Sequence, residues 1–178
     1  AAGFRKGDVI HNTFSYHLTP AGHMMEAGAH ACNCLVVPGG IGNTEQQLQA
    51  ITHIRPKGYV GTPSFLKILL EKGKELSIDV SSVTNAAVGG EALPPSLREY
   101  FHSYGIDVLQ SYGTADLGLV AYESPATEGM IIDEGVVVEI VRPGTGIPLQ
   151  DGEVGEVIVT SLNPVYPLIR FATGDLSA

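Results

Sequence analysis

Three side chains within the span Tyr112 to Asp116 have the types a nucleotide site needs. In the stretch Gln110 to Gly118, Gln-Ser-Tyr-Gly-Thr-Ala-Asp-Leu-Gly, Tyr112 offers a flat face for a purine and Thr114 a hydroxyl for a phosphate. Asp116 offers an oxygen ligand for a magnesium ion. The stretch follows Val108 and Leu109, good β formers, and reads as a small polar turn at a strand's end. In an open α/β sheet, ligands bind in the crevice beyond the carboxyl ends of the strands. The same residues also suit a plain hairpin or crossover turn whose polar groups satisfy only the backbone. Two further loops carry compatible groups: Gly89-Gly90-Glu91, and Arg170 to Asp175 near the end of the chain. Glycines let a backbone approach a flat ligand closely, and a carboxylate after a glycine turn can accept hydrogen bonds from two ribose hydroxyls.

The elements that must position these loops alternate. Asp8 to Leu18 has a mixed strand pattern ending in Phe14 and Tyr16, and Thr19-Pro20 starts a helix through Met24, Met25 and Ala27. Cys34 to Val37 is a continuous apolar run, as expected of a strand buried on both faces. Asn43 or Thr44 is the expected cap of a helix with Leu48, Ile51 and Ile54 inward. Tyr59-Val60 is a short strand. Thr62-Pro63 places an N-cap and a first-turn proline before the stripe Phe65, Leu66, Leu69 and Leu70. Val83 to Val88 reads as a strand, Pro94-Pro95 opens a helix through Leu97, Tyr100 and Phe101, and Gly105 ends it. Ile106 to Leu109 then feeds the polar stretch. After Gly118 the pattern becomes short β-type runs, Leu119 to Tyr122, Met130 to Ile132, Val136 to Val141, Glu153 to Thr160 and Val165 to Phe171. The expectation is an α/β fold: a mostly parallel sheet flanked by helices over residues 1–120, followed by a small antiparallel β lobe over 121–178.

Composition bounds the partners. With 19 acidic against 10 basic residues and a net charge of −9, the chain lacks the clustered cations that grip a nucleic acid or an anionic membrane. A 44% hydrophobic content supports a packed core in a soluble domain. Cys32 and Cys34, two apart, would form a strained bridge, which points to a reduced, cytoplasmic setting. No signal peptide or membrane span stands out. The ends, Ala-Ala-Gly-Phe at the start and Gly-Asp-Leu-Ser-Ala at the finish, read as an excised piece of a longer chain. Gly39-Gly40-Ile41-Gly42 lacks the dinucleotide-loop spacing, His30 with the two cysteines lacks a second ligand pair for zinc, and a GxSxG elbow is absent.

The ordered set Gly7-Asp8, His11-Asn12, Tyr16, Thr62-Pro63-Ser64, Gly89-Gly90-Glu91, Ser111-Tyr112-Gly113, Gly152 to Glu156 and Arg170 to Asp175 resembles the adenylate-forming ligases. Within that superfamily it is most similar to phenylacetate-CoA ligase and coenzyme F390 synthetase. The resemblance implies that Gly89, Gly90 and Glu91 flank an adenine, that Tyr112, between Ser111 and Gly113, stacks on it, and that Asp175 holds the ribose hydroxyls. By the same resemblance Thr114 or Ala115 would lie beside the α-phosphate, with Asp116 as the magnesium ligand. Phe14, Tyr16 and Leu18 resemble the wall of the acid pocket, with plain core as the alternative for Phe14 and Leu18, and His11 suits a contact to the substrate carboxylate or, more simply, a buried histidine satisfied by a neighbouring carbonyl. The implied reaction consumes a small aryl or short hydrophobic carboxylate, ATP and CoA, with AMP released. A phosphate loop before Ala1 and a lysine-bearing lobe after Ala178 are expected to complete it, leaving this piece inactive alone. The departures are Ala115, where a hydroxyl is usual, Asp116 in place of Glu, and Ala172 in place of Arg. An AMP-transferring synthetase acting on a deazaflavin, or a nucleotide-binding module without catalysis, are the alternatives.

Overall fold

Strand and helix alternate through the first five strands, and every parallel pairing is made there. In the computed structural model, which describes residues 2–178, β1 (Val9–Asn12), α1 (Ala21–Ala31), β2 (Leu35–Pro38), α2 (Thr44–Ile54) and β3 (Gly58–Gly61) come first. They are followed by α3 (Pro63–Leu76), β4 (Asn85–Val88), α4 (Pro95–Ser103) and β5 (Asp107–Thr114). β6 (Gly118–Glu123) and β7 (Met130–Ile132) then add antiparallel strands, giving one seven-stranded sheet in the order β2-β1-β3-β4-β5-β6-β7. β8 (Val136–Arg142), β9 (Ile147–Pro148), β10 (Gly155–Ser161) and β11 (Phe171–Ser177) form a four-stranded antiparallel sheet in the order β11-β10-β8-β9. Among the described residues, no helix is long and apolar enough to cross a membrane.

The large sheet is covered unequally. On one face α2, α3 and α4 bury Leu48, Leu66, Leu69, Leu70 and Phe101 against Tyr59, Ala86, Val88 and Val108. The spacing of Leu66, Leu69, Leu70 and Gly73 puts one stripe of α3 on that face, and each fully buried leucine contributes roughly 1.5–3 kcal/mol. α3 starts as its sequence dictates, with the Thr62 hydroxyl accepting from Phe65 N at 3.3 Å and Pro63 in the first turn. Gly105 takes a φ of +74°, the left-handed conformation that stops α4. On the other face α1 alone packs, through Ala29 and Met25, over Ile10 and Val60.

Several boundaries differ from the sequence reading. β2 is an edge strand with Leu35 62% exposed, because it pairs only with β1; Cys34, just before it, is the buried residue. Asn43 sits in the left-handed region and makes no side-chain cap to α2. The segment 162–170 is irregular, so the last strand begins only at Phe171. Leu119 to Tyr122 and Met130 to Ile132 extend the large sheet, and sheet membership changes after Ile132. The stretch Gln110 to Thr114 is not turn but the second half of β5, and the turn itself is confined to residues 115–117.

That continuation depends on an ion pair. β5 leaves its parallel partner β4 at Gln110 and joins antiparallel β6 from Ser111 onward. At the junction Arg98 of α4 donates to both Glu123 carboxylate oxygens, at 2.7 and 2.8 Å, and to Val108 O at 2.7 Å. Glu123 in turn accepts from Gln110 N at 2.7 Å. The side chains are only 20% and 11% exposed, so removing either partner strands a largely desolvated charge. Arg98→Met and Glu123→Gln are each expected to lower the unfolding free energy by about 3 kcal/mol in urea titrations, at the lower end for a buried pair. Midpoints matching the native chain would show that the pair does not carry this junction.

Candidate functional site

The carboxyl ends of β4 and β5 supply the backbone of the site. Gly89 follows β4 and lies against β5 so closely that a Cβ would stand 2.9 Å from Ser111 O, and Gly90 takes a φ of +76°. Any larger residue at Gly89 would push these two strand ends apart. Gly113 is equally constrained, since a Cβ there would stand 2.5 Å from Gly118 O across the β5–β6 hairpin. The Ser111 hydroxyl donates to Val88 O at 3.4 Å. Glu91 reaches back to the N-terminus of α3, accepting from Ser64 Oγ at 2.9 Å and Ser64 N at 3.3 Å, where the helix dipole favours a negative charge.

Tyr112 and Asp175, 63 positions apart, meet directly: the Tyr112 hydroxyl donates to Asp175 Oδ2 at 2.7 Å. The ring packs against Val120, Val157 and Val159, where the two sheets join. Asp175 is presented by an irregularity in the β10–β11 ladder, in which Glu156 faces Leu176 and Ile158 faces Ala172. Thr173 anchors that excursion through its hydroxyl on Val157 O at 2.9 Å, and Gly174 takes a φ of +79°. Burial first, and then the Asp175 carboxylate, push the Tyr112 hydroxyl above its ordinary range, so it stays a donor at neutral pH. Thr114 closes the hairpin turn by accepting from Leu117 N at 3.1 Å, and Asp116 projects from the same turn into solvent. Among the described residues no three His, Cys, Asp or Glu side chains converge on a metal position, so Asp116 stands there as a single carboxylate.

Beside these loops a cavity of about 640 Å³ opens between α1 and the large sheet. Of the residues singled out in the sequence, Phe14, Gly89, Gly90, Ser111, Gly113 and Thr114 line it. Glu91, Tyr112, Asp116 and Asp175 lie outside its lining. The remaining three expected substrate contacts lie elsewhere. Leu18 adopts a φ of +53° and points wholly into solvent. Tyr16 accepts from Asn12 Nδ2 at 2.8 Å and meets His23 edge-on, and burial and the Glu26 carboxylate push its hydroxyl up to about 12. His11 is 1% exposed and donates from Nε2 to Gln47 Oε1 at 2.7 Å. That tautomer follows from Gln47, whose Nε2 already donates to Gly40 O and Gly42 O. The histidine therefore braces the glycine loop after β2 and does not line this cavity.

Residues that the sequence reading does not assign to the site complete the cavity wall: Met24, Met25 and Gly28 of α1, and Leu109, Gln110 and Glu123 of the sheet. The signal available for α1 was the recurrence of small or flexible apolar residues at 21, 24, 25, 28, 29 and 32, one side of a helix.

The family model described as AMP-binding enzyme matches residues 3–164. The chain belongs to that family. It is 32% identical to the phenylacetate-coenzyme A ligase of Aromatoleum evansii over 99% of this chain and 42% of that protein. To the phenylacetate-coenzyme A ligase of Escherichia coli (strain K12) it is 33% identical over 99% of this chain and 43% of that protein. It thus spans well under half the length of the curated relatives it matches. Among solved structures, a 2-hydroxyisobutyryl-CoA ligase in complex with 2-HIB-AMP and CoA superposes with a TM-score of 0.87 at 22% identity, over 98% of this chain and 41% of that one. An anthranilate CoA ligase in complex with anthranoyl-AMP superposes at 0.76 and 19% identity, over 98% and 38%. At these identities the structural likeness establishes the fold of the chain.

His11 supplies a test of its bracing role. Burial lowers its folded-state pKa below 6.5, with the Gln47 contact opposing that shift. The unfolded chain takes up this proton as the pH falls through about 6.5 while the folded chain resists it, so the stability His11 contributes is complete above that pH and lost below it. Urea midpoints are expected to fall between about pH 7.5 and about pH 5.5, and His11→Gln, which keeps a donor for Gln47, is expected to flatten the fall. An equal fall in both proteins would assign the pH dependence to other groups.

Proposed function

We propose that this chain is part of an ATP-dependent acid–CoA ligase that activates an apolar carboxylic acid as its adenylate. The single observation that carries the reading is the Tyr112–Asp175 hydrogen bond, which puts an aromatic ring and a carboxylate side by side on the strand end whose Ser111, Gly113 and Thr114 line an apolar cavity. Tyr112 supplies a face for adenine beside Gly89, Gly90 and Glu91. With Oδ2 of Asp175 holding the Tyr112 hydroxyl, Oδ1 remains to accept from ribose hydroxyls. The substrate carboxylate attacks the α-phosphorus, pyrophosphate leaves, and the CoA thiol then displaces AMP from the acyl-adenylate. Thr114 stands nearest the α-phosphate in this arrangement. One carboxylate together with nucleotide phosphates is an ordinary magnesium environment, and exposed Asp116 fits that ligand role. A magnesium ion there would neutralise charge building on the phosphates.

The aryl or short acid expected from sequence belongs to the class an apolar wall accepts. A cytoplasmic setting is part of the proposal, in keeping with two free cysteines. Ala115 has no hydroxyl and that of Thr114 is engaged by Leu117 N, which favours, as second reading, a module that binds nucleotide without turning it over.

Two measurements test the proposal. In calorimetric titrations with AMP, Asp175→Ala is expected to weaken binding about tenfold or more, the value of a hydrogen bond to a charged group. Equal affinity would remove Asp175 from the site. With ATP, magnesium and phenylacetate, the chain of 178 residues is expected to give no pyrophosphate exchange. Turnover above background would show that it holds the full reaction machinery.

A further inference from the structure

The cavity is longer than the acid inferred for it. Its α1 wall runs from Ala21 through Met24 and Gly28 to Cys32, about 16 Å of helix at roughly 1.5 Å per residue. Its floor is the row Val60, Ala87 and Leu109, paired in register across β3, β4 and β5. Small residues make the space: Ala87 in the centre of the floor, Gly89 at the upper end, and Gly28 in the wall, where a Cβ would meet nothing within 4 Å. At the upper end Met24 leans toward the hairpin, its Cε standing 3.8 Å from where a Cβ of Gly118 would be. At the lower end Phe4 closes over β3, so near that a Cβ at Gly58 would stand 2.7 Å from its ring. The one charged side chain in the lining is Glu123, which Arg98 neutralises.

We propose that this trough takes an extended hydrophobic acid, whose uncharged body passes Met24 and lies along Ala87 toward Phe4, with its carboxylate at the Gly90–Ser111 end. The inference rests on the ligase reading for the carboxylate's position. A single phenyl ring on an acetate fills only the upper part, and each further methylene placed on this floor adds apolar burial. Met24 and Met25 are unbranched and flexible, which suits a ligand of variable contour.

The test uses the acids alone, without nucleotide, so a failure here is separate from a failure of the AMP titration. Decanoate and phenylacetate are titrated into the native chain and into Gly28→Leu, which adds bulk to the lower trough while replacing a helix-interior glycine with a better helix former. The native chain is expected to bind decanoate about tenfold more tightly than phenylacetate, and Gly28→Leu to erase or invert that preference while its melting temperature is maintained or raised. Met24→Ala, removing the side chain over the upper end, is expected to keep the native preference. A native preference for phenylacetate, an unaltered ratio in Gly28→Leu, or no binding of either acid would each overturn the proposal.

Discussion

The Arg98–Glu123 pair solves a problem built into the sheet. β5 is parallel to one neighbour for its first half and antiparallel to the other for its second, so at the crossover its backbone runs out of ladder on one side. Arg98 takes up Val108 O and Glu123 takes up Gln110 N, so the two peptide groups at the change of partner are satisfied by side chains that also satisfy each other. Everything beyond that point is placed by it. The second half of β5 carries Ser111, Tyr112, Gly113 and Thr114 outward, and β6 returns alongside. Tyr112 and Val120 then meet the valines of β10, so the junction also sets where the smaller sheet rests.

The two halves of the candidate site are made of different material. The nucleotide side is built from glycine approaches and strand ends, held by a few directed hydrogen bonds such as Glu91 to Ser64 and Tyr112 to Asp175. The acid side is a gap between a helix and a sheet, defined by side chains too small to close it. Polar residues therefore fix one ligand's orientation, while absence of bulk fixes the room for the other. His11 and Gln47 contribute to neither side; they tie β1 to the glycine loop behind the site.

How legible this was from the chain depended on the kind of signal. Helix boundaries with local causes, Thr62-Pro63 and Gly105, stand where the sequence places them, and so does the alternation of strand and helix through Leu109. The polar run from Gln110 to Thr114 reads as a turn because its strand character comes from pairing with β6 and from Glu123, thirteen residues on, and not from its own propensity. β2 looks doubly buried in its apolar run, yet its place at the sheet edge is decided by topology. In the sequence, Tyr112 and Asp175 are linked only by resemblance to a family, since no periodicity connects residues on two different sheets. The trough is not legible in the sequence because a cavity is a relation between two surfaces, and a row of small residues on α1 does not reveal what it fails to touch.

The uneven cover of the large sheet sets a hierarchy of local stability. Three helices share one continuous core, whereas α1 has a separate and smaller one, made with Ile10, Cys34 and Val60. The helix is attached at both ends: the Asn12 amide donates to Gly22 O and Gly22 packs on Ser15 and Tyr16 without room for a Cβ, while Ala29 is buried with Ile10, Cys34 and Val60. α1 thus rests on the smaller of the two cores, so its amide protons are expected to exchange by partial opening, at a free energy below that of global unfolding. The wall of the trough therefore belongs to the less deeply anchored side of the sheet, while the core under the other three helices is the larger one.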